Sequence, residues 1–166
     1  MGLGLSNLGI FHTLIGIVAI FAAMYGFIKN GKIDLGKSSG KIYFYFTLVT
    51  SVTALRLSSI QGVNPGHILA LLVIILIVAA YFFNTKKQGS NKFRYFETFF
   101  LTFSFLLSMI PTINETLTRI PVGHPLASGP KDPLIAKTLL VVFILFIIGS
   151  VIQFRRQRIL NSSINE

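Results

Sequence analysis

Residues 42–60, "IYFYFTLVTSVTALRLSSI", decide how many times this chain crosses a membrane. The stretch has the length of a span, because about 20 helical residues cover a hydrocarbon core of about 30 Å. Its chemistry is mixed: Thr47, Thr50, Ser51 and Thr53 interrupt the apolar run and Arg56 lies near its end. On either side the pattern is plainer. Residues 8–28, 66–84, 95–113 and 134–154 are each long and almost wholly apolar. Across all 166 residues, 52% are hydrophobic, only 12% are charged, and mean hydropathy is +0.72. A water-soluble domain of this size carries about twice that share of charge, so an integral membrane protein is expected.

The cationic residues settle how residues 42–60 are read. Lys29, Lys32, Lys37, Lys41, Lys86, Lys87, Lys92, Arg94, Arg155, Arg156 and Arg158 flank the spans on one side if all five segments cross, and only Arg56, Arg119, Lys131 and Lys137 fall on the other. Lysine and arginine are retained on the cytoplasmic side, which places the N-terminus outside and the C-terminus inside. If residues 42–60 did not cross, every later span would run against this rule. The fold class expected is therefore all-α, a single helical membrane bundle over residues 1–166 with five transmembrane helices. The first apolar run has no basic residue before it, so it reads as a retained span rather than a cleaved signal. The net charge of +10 is then a topology signal rather than a nucleic-acid footprint.

With this topology His12, His67 and His124 all fall on the outer face, together with Arg56, Glu115, Arg119 and Asp132, while the basic inner face holds no histidine. In the first helix His12, Gly16, Ala19, Ala23 and Gly26 recur on one stripe, and small residues at that spacing allow close helix packing in lipid. A histidine on a packed face needs a partner, either a carbonyl or hydroxyl nearby or a metal. Arg56 lies about 22 Å along the helix from Lys41, short of the outer interface, so it either snorkels outward or pairs with Glu115. The segment "RIPVGHPLASGPKDP", residues 119–133, holds Pro121, Pro125, Pro130 and Pro133. Proline fixes φ and removes an amide donor, so this is expected to be a stiff outer cap carrying His124 between the fourth and fifth helices. Pro111 is the one expected interruption within a span.

These residues outline an outer polar pocket of His12, Arg56, His67, Glu115 and His124. Three imidazoles near one plane suit zinc, with His12, His67 and His124 as ligands. His12 and His67 on parallel helices instead suit the two axial positions of a b-type haem, or a quinone site. The absence of cysteine excludes disulfides and thiolate chemistry. A transporter subunit is a further alternative, although no internal duplication is evident. As partners the sequence admits the lipid bilayer, a second copy of the chain or another membrane-complex subunit, and gives no sign of nucleic acid.

The stretch "GKSSGKIYFYFTLVTSVTAL" followed by "GHILALLVIILIVAAYF" resembles a family of bacterial polytopic membrane proteins of unknown function, whose loop reads His-Arg-x-x-Gly-Arg-x-Tyr before a span. Lys37, Gly40, Lys41 and Tyr43 match that loop, His67 matches a histidine that opens the next span, and Gly36 stands where the family has its loop histidine. The resemblance covers about half of the chain and implies a multi-pass protein of the bacterial inner membrane. It implies no activity. The function expected is that of a small accessory or ligand-binding inner-membrane protein working through the outer pocket, with membrane redox chemistry as the alternative.

Overall fold

The computed structural model describes residues 6–59, 65–86 and 91–162. The tail at 1–5, the turn at 60–64, which includes the end of the second expected span, residues 87–90 with Lys87, and residues 163–166 lie outside the described residues. Every regular element described is an α-helix: α1 (Asn7–Asn30), α2 (Ser38–Ser59), α3 (Pro65–Lys86), α4 (Asn91–Arg119) and α5 (Pro133–Ser162). Four of them, α1, α3, α4 and α5, are long and apolar enough to cross a membrane. At 1.5 Å per residue, the 22 residues of α2 span about 33 Å, which is enough length, but its threonines, serines and Arg56 leave it outside that apolar set.

The helices pack in chain order, α1 on α2, α2 on α3, α3 on α4 and α4 on α5. The central helix is α4, because its side chains also reach α1 and α2. Phe105 meets Phe27 edge-on at 5.3 Å, and the Tyr43 hydroxyl bonds the Ser104 hydroxyl at 2.7 Å in the buried core. The α1 stripe behaves as its spacing implies. Ala19, Ala23 and Gly26 are buried, while Leu14, Ile17, Phe21 and Ile28 face outward. Gly16 leaves just enough space that an added Cβ would touch Thr50 at 3.5 Å.

The α1–α2 connection is more than a polar linker. Gly31 ends α1 in the left-handed region (φ 71°), donating its amide to the Phe27 carbonyl at 2.9 Å, and the chain then drives Ile33 and Leu35 into the core. Asp34 holds the return turn through its carboxylate, which accepts from the Gly36 amide at 2.8 Å. The first turn of α2 passes so close to this loop that a Cβ at Gly40 would lie 1.9 Å from the Asp34 carbonyl oxygen. Glycine is the residue that permits such a backbone approach.

α4 departs from the expected pattern. It runs unbroken through Pro111 to Arg119, six residues past the expected end of the span. Proline at 111 removes one amide donor, and the Thr112 hydroxyl, bonded to the Ser108 carbonyl at 2.8 Å, adds a local side-chain bond there. In an apolar surround the helical state of the neighbouring residues costs less than exposing further amides, so the helix continues. Beyond it the 120–132 loop folds back on the last turn of α4, where the Ala127 amide donates to the Leu117 carbonyl at 2.9 Å and Ala127 itself is buried. Asp132 then starts α5. One carboxylate oxygen accepts from the Leu134 amide at 2.9 Å and the other from the amide and hydroxyl of Ser128.

Candidate functional site

The five expected residues, His12, Arg56, His67, Glu115 and His124, line neither of the two concavities described below. His12 is half-buried and its Nδ1 lies 3.0 Å from the Thr53 hydroxyl on α2. That hydroxyl already donates to the Val49 and Thr50 carbonyls, at 3.0 and 2.9 Å, so its single proton is committed and the imidazole is the donor at Nδ1. The ring is thus held by a helix-to-helix hydrogen bond. Glu115 lies near the end of α4. Its ion pair is with Arg119 one turn later, both side chains being about half exposed (53% and 52%). Of the two readings for Arg56, the pair with Glu115 is not the one seen: the Glu115 carboxylate is taken up within its own helix, and the Arg56 side chain is exposed.

The zinc reading is corrected as well. Among the described residues no three histidine, aspartate or glutamate side chains form a group that could hold a metal ion. His67 is half-buried in the first turn of α3, and His124 is exposed in the loop between α4 and α5, where its amide donates to the Pro121 carbonyl at 3.1 Å. The loop meets α4 through Ala127 and leaves residues 120–126 exposed, His124 among them. One surface concavity here, about 470 Å³, is walled entirely by residues 128–133 of the loop itself and by none of the five.

Polar chemistry is concentrated at the opposite end of the bundle. Glu97, in the second turn of α4, is only 1% exposed and accepts a hydrogen bond from the Asn84 side-chain amide of α3. It lies about 9 Å along the helix from the start of α4. An ionisable side chain inside a membrane bundle is costly unless paired or bonded, and it marks a functional site by default. Close by, the Gln153 side chain of α5 accepts from the Thr102 hydroxyl at 2.9 Å and donates to the Gly31 carbonyl at 3.2 Å. This side chain ties α4, α5 and the α1–α2 loop together. Arg156 lies against Gly31 itself, where an added Cβ would meet its guanidinium.

Next to Asn84, between α2 and α3, is a concavity of about 310 Å³ lined by Leu35, Lys41, Phe44, Tyr45, Tyr81 and Asn84. The Phe44 and Tyr81 rings stack at 5.3 Å, and Tyr45 meets Phe44 edge-on at 5.2 Å. Leu35 and Phe44 form its buried floor, while Tyr45, Tyr81 and Lys41 are exposed at its mouth. Because a carboxylate accepts hydrogen bonds, the Asn84 amide nitrogen must face Glu97, which fixes the orientation of the whole side chain. The site thus combines a fixed amide, an ammonium group and an aromatic wall.

Sequence reasoning placed Lys41 and Tyr43 in a motif but gave Glu97, Asn84, Tyr81 and Gln153 no role. One signal for Glu97 was present. Glu97, Leu101, Ser104 and Ser108 recur at helical spacing, and a charged residue at the head of a small-polar stripe within an apolar run marks an inward face. Asn84 and Tyr81 carried no such signal, because only the pairing of α3 with α2 and α4 brings them into the site. Comparison with family models, with curated proteins and with solved structures returns no match for this chain.

Proposed function

We propose that the chain is a small accessory protein of the bacterial inner membrane that crosses it five times and binds a small ligand at its cytoplasmic end. Fivefold crossing is supported by packing: α2 lies against both α1 and α3, which are themselves apolar enough to span. The cationic count on the two sides supports the N-terminus outside and the C-terminus inside. The bacterial inner membrane rests on the resemblance of residues 36–55 and 66–82 to that family.

The observation that carries the ligand-binding reading is the buried Glu97 holding Asn84 at the base of an aromatic cavity. Burying a carboxylate opposes folding, and it is retained where it positions other groups. The outer residues support a ligand site less well, being spread between a helix-to-helix bond, an intrahelical ion pair and an exposed loop. The redox alternative needs His12 and His67 to face one gap between α1 and α3, and both helices pack on α2 instead. A transporter subunit is supported least, because no described helix is broken near its middle.

The test is native mass spectrometry of protein extracted in a mild detergent without delipidation. A bound non-protein mass at about one per chain is expected, and it should be absent from Tyr81→Trp, which crowds the cavity without touching the Asn84–Glu97 bond. If the wild-type protein carries no adduct, or the same adduct survives in Tyr81→Trp, the reading fails.

A further inference from the structure

The cavity between α2 and α3 has a chemistry that selects among ligands, and the inference drawn from it rests on the binding reading above. We propose that it holds the phosphate-bearing headgroup of an anionic phospholipid from the inner leaflet, with Lys41 as the phosphate contact. The Lys41 side chain lines the cavity and makes no ion pair with any carboxylate among the described residues. An ammonium group at the rim of a small cavity is a phosphate contact. The cavity lies in the first two turns of α2, where the positive end of the helix dipole adds to that charge.

The other walls favour a lipid over a soluble anion. Phe44, Tyr45, Tyr81 and Leu35 give the cavity an apolar and aromatic surface that suits glycerol and the first acyl carbons. Tyr45 and Tyr81 are 56% and 50% exposed on the lateral surface, where tyrosine belongs at the level of lipid headgroups. Its volume of about 310 Å³ lies at the small end of ligand cavities and takes a headgroup rather than a whole lipid. The same end of the bundle carries Lys29, Lys32, Lys37, Arg94, Arg155, Arg156 and Arg158, which concentrate anionic lipid around the site. The Glu97 charge works against an anion, but it is buried and Asn84 stands between it and the cavity.

The test uses the full chain in detergent, titrated with short-chain phosphatidylglycerol, short-chain phosphatidylcholine or inorganic phosphate, and read by native mass spectrometry and melting temperature. Phosphatidylglycerol should bind at least about tenfold more tightly than phosphatidylcholine and raise the melting temperature. Lys41→Gln should erase that preference, and Tyr45→Ala should weaken binding of both lipids. Lys37→Gln, at an exposed lysine outside the cavity, should change neither, and all three variants should melt like the wild type without lipid. Equal effects of Lys41→Gln and Lys37→Gln would mean general surface attraction and overturn the proposal. Displacement of the lipid by an equal concentration of inorganic phosphate would assign the cavity to a soluble anion and overturn it too. If a different native adduct is lost in Tyr81→Trp while phosphatidylglycerol shows no preference, ligand binding stands and only the lipid assignment falls.

Discussion

Gly40 carries the sharpest constraint on any single residue. A Cβ there would lie 1.9 Å from the Asp34 carbonyl oxygen and 2.4 Å from its carbon, and both neighbours are backbone, so neither can rotate away. Gly40→Ala should therefore cost about 3 kcal/mol, the upper range for an overpacked core, and should lower the melting temperature in detergent markedly. An unchanged melting temperature would show that the loop and the α2 start separate freely. Lys37, Gly40, Lys41 and Tyr43 of the resembling loop are thereby given physical roles in this fold. The Lys37 amide closes the turn on the Asp34 carbonyl, Gly40 permits the crossing, Lys41 lines the cavity, and Tyr43 fills the core against Ser104. None of these roles could be read from residue types alone, because a lysine before a span is equally well a topology signal.

Among the elements, α5 shows how one residue governs a helix start. The Asp132 carboxyl is held below its ordinary value of 3.8 by the Ser128 and Leu134 amides and then by the Ser128 hydroxyl. The folded state thus binds its proton more weakly than the unfolded chain. The stabilisation is complete above the ordinary value and is lost as pH falls through the lower, folded value. The melting-temperature gap between wild type and Asp132→Ala should therefore be constant from pH 7 to about pH 5 and narrow only below about pH 4. A gap that narrowed between pH 7 and 6 would show that another group supplies it. The five helices, the small-residue face of α1 and the proline-rich loop were legible in the sequence because each is a local pattern. The length of α4 was not. Pro111 signals an end in water, where freed amides are hydrated, but not in a packed apolar bundle.

For the whole molecule, the test of α2 is also the test of orientation. The chain has no cysteine, so single-cysteine variants can be labelled in intact cells without background. Cysteine at the exposed positions Val122, Lys37 and Lys86 should react from outside at 122 alone, with 37 and 86 labelled only after permeabilisation. Labelling from outside at 86 but not at 37 would mean that α2 does not cross, and the fivefold reading would fail; labelling at both would overturn the orientation instead. The candidate site shows the other limit of local reading. Three histidines sharing one end of the bundle looked like a cluster, yet depth along a helix does not say which way a side chain points or what lies between helices.

By itself the sequence determined the helical class, the membrane-like composition, the packed stripe of α1 and the uneven cation distribution. Apolar run length, residue size and charge position act within a few turns of chain and need no partner to be expressed. Only the tertiary structure decided that the polar interior lies around Glu97 and Asn84, that Gln153 joins three elements, and that Glu115 pairs with Arg119. Those contacts depend on which helices are neighbours and at what rotation, and many residues jointly set both.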